Sequence, residues 1–351
     1  MGKDNLDKFK QQKWLEKDTE SRFYIYSQAF EGKQPQYGLL SASSIEDYEK
    51  GLIKKHEKTL QKKEEDRTRL NDAQNANIEP VFLTYKNGDA ISEKVCSLAK
   101  SLEPIYSIQT DDSVQHNFWK IDASENRFFV EEFKNIDCAY VADGHHRTAA
   151  AYNVGKQRRE QALKQGLKVS GEEDFNYIMS LIYPAKELQI MDYNRIVTDL
   201  NGLTGKQLIV RMVEVGIDIS VVRDVDPKPK FKHTFSMLLE GVWFSCAIPE
   251  HLINQSDPVK RLDVQILNDL VIDGLLGIKD VRTDKRIEFV GGIRGIGELE
   301  RRYDRKVAFA MYPVSIEDLM SVADAGLIMP PKSTWFEPKP RSGFCIRQFD
   351  I

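Results

Sequence analysis

The sequence predicts a mixed α/β (α+β) fold, and three observations carry that prediction. Apolar runs of strand length, such as PVFLTY (80–85), NYIMSLIYP (176–184) and VAFAMYPV (307–314), recur along the whole chain; continuous runs of this kind suit buried strands. Between them lie charged or amphipathic stretches at helical spacing. No internal repeat and no low-complexity linker breaks the alternation. The 351 residues include 17 Phe, 13 Tyr and 4 Trp, enough for one sizeable core or two smaller ones.

Taken in order, residues 4–15 read as a short amphipathic helix around Leu6, Phe9 and Trp14. RFYIYSQAF (22–30) and QYGLLSAS (36–43) read as a hairpin of aromatic and branched residues. Residues 44–77, dense in both charge signs, read as a single helical stretch with Ser44 and Asp47 as a capping pair. A strand at 80–85, a turn at Asn87-Gly88, a helix over 90–103 and strands at 116–122 and 138–144 follow, with a helix starting near Thr148. The second half continues with the strand at 176–184, a turn at Asn201-Gly202 and a helix over 204–215. Residues 233–249 read as two strands joined at Glu240-Gly241. Asp257-Pro258 reads as a helix start, because Asp caps free amides and Pro is pre-set for the first turn. A strand at 285–292, another at 307–314 and a helix over 315–326 complete the regular elements. The Pro-rich stretch 329–343 should form an ordered arm, with Trp335 as a packing anchor. Two regions are expected, 1–180 and 181–351.

The composition limits function. Fifty basic against 54 acidic residues give a net charge of -4, which argues against a broad basic nucleic-acid surface. Cys96, Cys138, Cys246 and Cys345 form no CxxC pair, so neither a disulfide scaffold nor a cysteine-rich zinc site is expected, and a cytoplasmic location is. Cys138 reads as a buried structural thiol. No apolar run approaches the ~20 residues needed to cross a bilayer.

Chemistry concentrates in Val141-Ala142-Asp143-Gly144-His145-His146-Arg147-Thr148. A strand feeds a glycine, two histidines and an arginine, and an Ala-rich helix begins. A helix N-terminus offers unpaired amides and partial positive charge to an anion. Gly144 would let the backbone approach a ligand, and Arg147 supplies a planar fork for phosphate oxygens. His145 and His146 can donate hydrogen bonds or relay protons, and Asp143 could position a hydroxyl nucleophile. A plain helix cap needs fewer polar groups than these. Adjacent histidines diverge, and no HExxH occurs, so no metal site is predicted from the protein alone.

DGHHR, together with KKHEKT, EEDRTRLNDAQNANIEPVFLTY, DYNRIV, GIKDVRTDKRIEFVGGIRG and MPPKSTWFEPKPRSG, resembles over nearly the whole chain a bacterial and archaeal family, domain of unknown function 1015. That family in turn resembles the ParB/sulfiredoxin-like fold, in which a Gly-His-Arg-type turn holds nucleotide phosphates, and one branch of which consists of free-serine kinases. The resemblance implies a ParB/sulfiredoxin-like core around the turn and a second α/β region. It implies ATP or ADP, with or without Mg2+, as cofactor, and a small hydroxyl compound as phosphate acceptor. It adds His56, Thr59, Asp66 and Arg67 to Gly144, Arg147 and Thr148 as binding residues, and Glu57 to Asp143, His145 and His146 as catalytic candidates. On a helix, His56 and Thr59 would share a face. Family members begin with a further N-terminal segment ahead of the helix that starts this chain; should the catalytic carboxylate lie there, binding with weak turnover is expected. A non-catalytic nucleotide- or anion-binding regulator is the alternative. A ParB-like DNA-binding role is disfavoured, since no helix-turn-helix is evident. The glycine run 291–297 lacks GxGxxG spacing and reads as a helix-start turn.

Overall fold

The structure, a computed structural model, describes residues 2–30, 32–302 and 307–349. They form a mixed α/β protein that divides into two compact units, 2–188 with 338–349, and 189–337. The first boundary falls at 188/189 rather than 180/181, and the last residues return to the first unit.

The first unit holds strands β1 (Tyr24–Phe30), β2 (Gln36–Ser44), β3 (Ile53–Lys54), β4 (Ala76–Asn77), β5 (Val81–Tyr85), β6 (Tyr106–Gln109), β7 (Val114–Lys120), β8 (Ala139–Asp143) and β9 (Tyr177–Pro184). Its helices are α1 (Gly2–Gln11), α2 (Ile45–Glu49), α3 (Gln61–Gln74), α4 (Asp89–Ser101), α5 (Asn126–Phe133) and α6 (His145–Lys164). Eight strands form one sheet in the order β3-β8-β5-β9-β2-β1-β7-β6. β5 runs parallel to β9 and antiparallel to β8. The core is built on Ile25, Leu39, Leu83, Trp119, Phe129, Val141 and Ile178.

The single helix expected over 44–77 is four elements, α2, β3, α3 and β4. Ser44 caps α2 by accepting from the Glu46 amide at 3.1 Å. The chain then turns through Gly51 at φ 75°, where a side chain would be strained. Ile53, 5% exposed, joins the sheet edge parallel to Ala139. Burying that one isoleucine against β8 outweighs the local helical preference of its charged neighbours. α6 opens at His145, one turn earlier than Thr148. The exposed edge strand β6 and helix α5 are additional to the elements the sequence predicts. Cys138 is half-exposed, not buried; the buried cysteine is Cys246.

The second unit holds β10 (Ile190–Met191), β11 (Tyr193–Val197), α7 (Gly205–Glu214), β12 (Asp218–Val221), β13 (Thr234–Leu239), β14 (Val242–Ala247), α8 (Asp263–Leu267), β15 (Ile287–Gly291), α9 (Gly295–Arg302), β16 (Val307–Met311), α10 (Ile316–Asp324) and β17 (Trp335–Phe336). Its main sheet, ordered β12-β14-β13-β16-β11-β15, is antiparallel throughout. Glu240 and Gly241, both at positive φ, make the predicted hairpin turn. Asp257 accepts from the amides of Val259 and Lys260, yet the α-helix itself begins only at Asp263. Residues 292–294 form one 3₁₀ turn ahead of α9, so the glycine run is a helix start. Trp335 packs edge-on to Tyr193, ring centroids 5.1 Å apart, and covers Gly291.

The Pro-rich stretch is therefore split. Residues through Glu337 belong to the second unit, and β18 (Arg347–Gln348) pairs antiparallel with β4 in the first. No described helix is long and apolar enough to cross a membrane.

Candidate phosphate-binding site

β8 is buried over Tyr140–Ala142, and its register against β5 shifts by a bulge just before Asp143. Bulges of this kind re-aim the side chains that follow them. Gly144 then turns the chain at φ 97°, ψ 28°, in the left-handed region. A Cβ at this position would lie 3.0 Å from both Nε and Nη2 of Arg147. Glycine thus serves twice here, for the turn and for the guanidinium folded over it.

The first bond of α6 runs from the Thr148 amide to the Gly144 carbonyl, 2.9 Å, and no side chain caps the helix. The amides of His145, His146 and Arg147 therefore precede the helical ladder. The sequence placed Thr148 among the phosphate ligands. In the structure it is 1% exposed and its hydroxyl also bonds to the Gly144 carbonyl, at 3.1 Å. The amides outside the helical ladder lie one turn earlier, because the helix does.

The KKHEKT segment reaches this turn as a loop, not as a helical face; α3 begins only at Gln61. His56 is 2% exposed and stands edge-on to the His145 ring, centroids 4.4 Å apart. Its main-chain amide donates to His145 Nε2 at 3.4 Å. The other ring nitrogen, Nδ1, lies 3.8 Å from Glu57 Oε2. The Leu60 amide donates to His146 Nε2 at 3.0 Å.

All three imidazoles are held neutral. Burial, then the neighbouring His146 and Lys55 charges, push His145 down to about 3. Burial, then His145, lowers His56 well below the ordinary imidazole value, against smaller opposing effects of Asp143 and the Val141 backbone. Burial also lowers His146. A neutral imidazole offers one donor and one acceptor but no positive charge. Charge for an anion must come from elsewhere.

Arg147, in the turn itself, is one source. Its Nη1 donates to the Pro80 carbonyl at 2.8 Å and approaches Glu79 Oε2 at 3.3 Å, while Nη2 meets Asp143 Oδ2 at 3.1 Å. The other Asp143 oxygen, Oδ1, lies 3.6 Å from Lys339 Nζ. Arg147 also borders a pocket of about 110 Å³, with Arg67, Asn71, Gln74, Asn77 and Glu79 among its walls. Asp66 does not join them. It lies on the exposed side of α3, 3.5 Å from Arg69.

Two residues not singled out in the sequence tie the parts together. Glu64 accepts from the Thr59 hydroxyl and from Asn153 Nδ2, both at 2.7 Å, linking the loop, α3 and α6. Neither Glu64 nor Asn153 carried a signal, since their meeting depends on how α3 lies along α6. Among the described residues no group of three His, Cys, Asp or Glu side chains could hold a metal.

Fold and site together define a mixed α/β protein whose histidine–arginine turn opens a long helix. The chain belongs to the family described as "Protein of unknown function (DUF1015)", whose family model matches residues 1–265. No curated protein sequence matches it. Among solved structures it is similar to a free serine kinase in complex with AMP, at 14% identity over 85% of this chain and 86% of that one, with a TM-score of 0.38. It is also similar to a conserved hypothetical protein from Pyrococcus furiosus (14% identity, 85% and 90% covered, TM-score 0.37). A third is SbnI with C-terminal truncation from Staphylococcus aureus (11% identity, 86% and 84% covered, TM-score 0.42). Likenesses this distant assign no residue of this chain a role.

Proposed function

We propose that this chain binds the phosphates of ATP or ADP at the Gly144–Arg147 turn and transfers a phosphoryl group to a small hydroxyl compound. The observation that carries the reading is the convergence of two separate polar segments on one helix end. His145 touches both His56 and Glu57 there, at the open N-terminus of α6.

Phosphoryl transfer needs charge neutralisation, alignment and an oriented nucleophile. In this reading the amides of His145, His146 and Arg147 bind phosphate oxygens, and the Arg147 guanidinium supplies the charge. The neutral histidines shape the site and offer hydrogen bonds without competing for a proton. Glu57 is the better general base of the two candidate carboxylates. Asp143 stands between Arg147 and Lys339, whereas the Glu57 side chain is 49% exposed and lies beside the neutral His145 ring. Magnesium would arrive with the nucleotide, held by its phosphates, since the protein shows no metal cage of its own among the described residues.

One observation favours a second reading, a binding protein without turnover. Arg147 is already committed to two carboxylates and a carbonyl, so its charge is partly answered within the protein. Calorimetry with ADP and ATP, followed by assay of labelled ATP against a panel of amino acids and sugars, separates the two. Binding with product supports the kinase reading, binding alone supports the regulator, and absence of binding rejects both.

A further inference from the structure

The C-terminal arm, residues 338–349, carries three cations and no described carboxylate. Two of the three are anchors away from the turn. Arg341 pairs with Asp112, and its amide donates to the Tyr26 hydroxyl at 3.1 Å. Arg347 pairs with Asp174 at 2.7 Å and donates to the Tyr177 carbonyl. Between them Phe344 lies against Phe118 and Tyr26, 6.0 and 5.4 Å between centroids. The third cation, Lys339, points at Asp143, the residue immediately before the turn. Its position is set by the preceding residue: the fully buried Gln28 donates to the Pro338 carbonyl at 2.6 Å. At the far end β18 pairs with Ala76 and Asn77, and the Phe349 amide bonds to the Asn75 carbonyl. Asn77 is a wall of the pocket beside Arg147. The arm is thus fastened near both of its ends.

We propose that Lys339 is a phosphate-binding residue of this site, delivered by the arm, and that its ammonium passes from Asp143 to a bound nucleotide. The inference rests on the nucleotide reading above. The Lys339–Asp143 pair is half-exposed, 46% and 37%, and such pairs contribute only about 0–1 kcal/mol. A phosphate, with more charge and more acceptor oxygens than one carboxylate, offers the ammonium a stronger charge-assisted bond. Since contacts other than the one to Asp143 hold the arm, Lys339 can change partner while the arm stays in place.

The test is calorimetry on the full chain and its Lys339→Ala, Lys339→Arg and Arg147→Ala variants, with ADP and with adenosine as the phosphate-free probe. Lys339→Ala is expected to weaken ADP by about tenfold or more, the effect of losing a hydrogen bond to a charged group. It should leave adenosine and the unliganded melting temperature unchanged, and Lys339→Arg should restore most of the ADP affinity. Unchanged ADP affinity in Lys339→Ala, with Arg147→Ala impaired, overturns the role of Lys339 and leaves the nucleotide reading standing. Equal losses for ADP and adenosine also overturn it. No ADP binding by the unaltered chain overturns the nucleotide reading and this inference together.

Discussion

The His56 ring stands perpendicular to that of His145, planes at 88°, while the His56 amide points at His145 Nε2. Each imidazole is buried against the other's segment, and neither can take a proton without charging a group withdrawn from water. That relationship couples the fold of the turn to pH.

The sign follows from the shift. Folded His145 stays neutral down to about 3, whereas the unfolded ring takes a proton near its ordinary 6.5. Between those values the unfolded state binds more protons, so stability falls as pH drops through the window. His56 and His146 shift in the same direction. Urea midpoints at about pH 7 and about pH 5 should fall for the natural chain and fall less for His145→Gln. An equal drop in the two would remove His145 from the pH response.

Gly144→Ala should lower stability by about 1–3 kcal/mol, the range for a residue forced into a sparsely allowed backbone region. The added methyl also meets the Arg147 guanidinium at 3.0 Å. Chemical denaturation measures the first effect and ADP calorimetry the second. A neutral outcome in denaturation would mean the turn relaxes to negative φ at little cost.

Arg147→Ala should weaken ADP by about 1.5–3 kcal/mol, and Arg147→Lys should recover only part of the loss because an ammonium cannot reproduce the planar fork. Full recovery by lysine would show that charge alone matters at this position.

Glu57→Gln should leave ADP affinity in place and lower turnover by about 10²–10⁴, the usual contribution of a general base. Glu64→Gln serves as the contrast. Its loss disturbs the bonds to Thr59 and Asn153, so it should lower the melting temperature as well as activity. If Glu57→Gln retains full turnover, another group accepts the proton.

What was legible in the sequence is the run from Val141 to Arg147. An apolar strand entering Gly144 announces its own turn, and the chemistry follows within a few residues, so local physics suffices. The hairpin at Glu240-Gly241 was legible for the same reason. The break at Gly51 was not, because residues 44–77 favour a helix everywhere in local terms. Only the edge of β8, contributed by Ala139, gives Ile53 a better place.

The sequence by itself determined the α/β class, the histidine–arginine turn and the residue types available for anion binding. Tertiary structure alone decided which of them act on each other. Asn153 is 89 residues from Glu64, and Arg147 is 68 from Glu79. No periodicity reaches across such separations; the contacts exist only because α3 packs along α6 and β5 pairs with β8. The same packing lowers the histidines' proton affinity, since burial is a property of the folded chain and not of the residue.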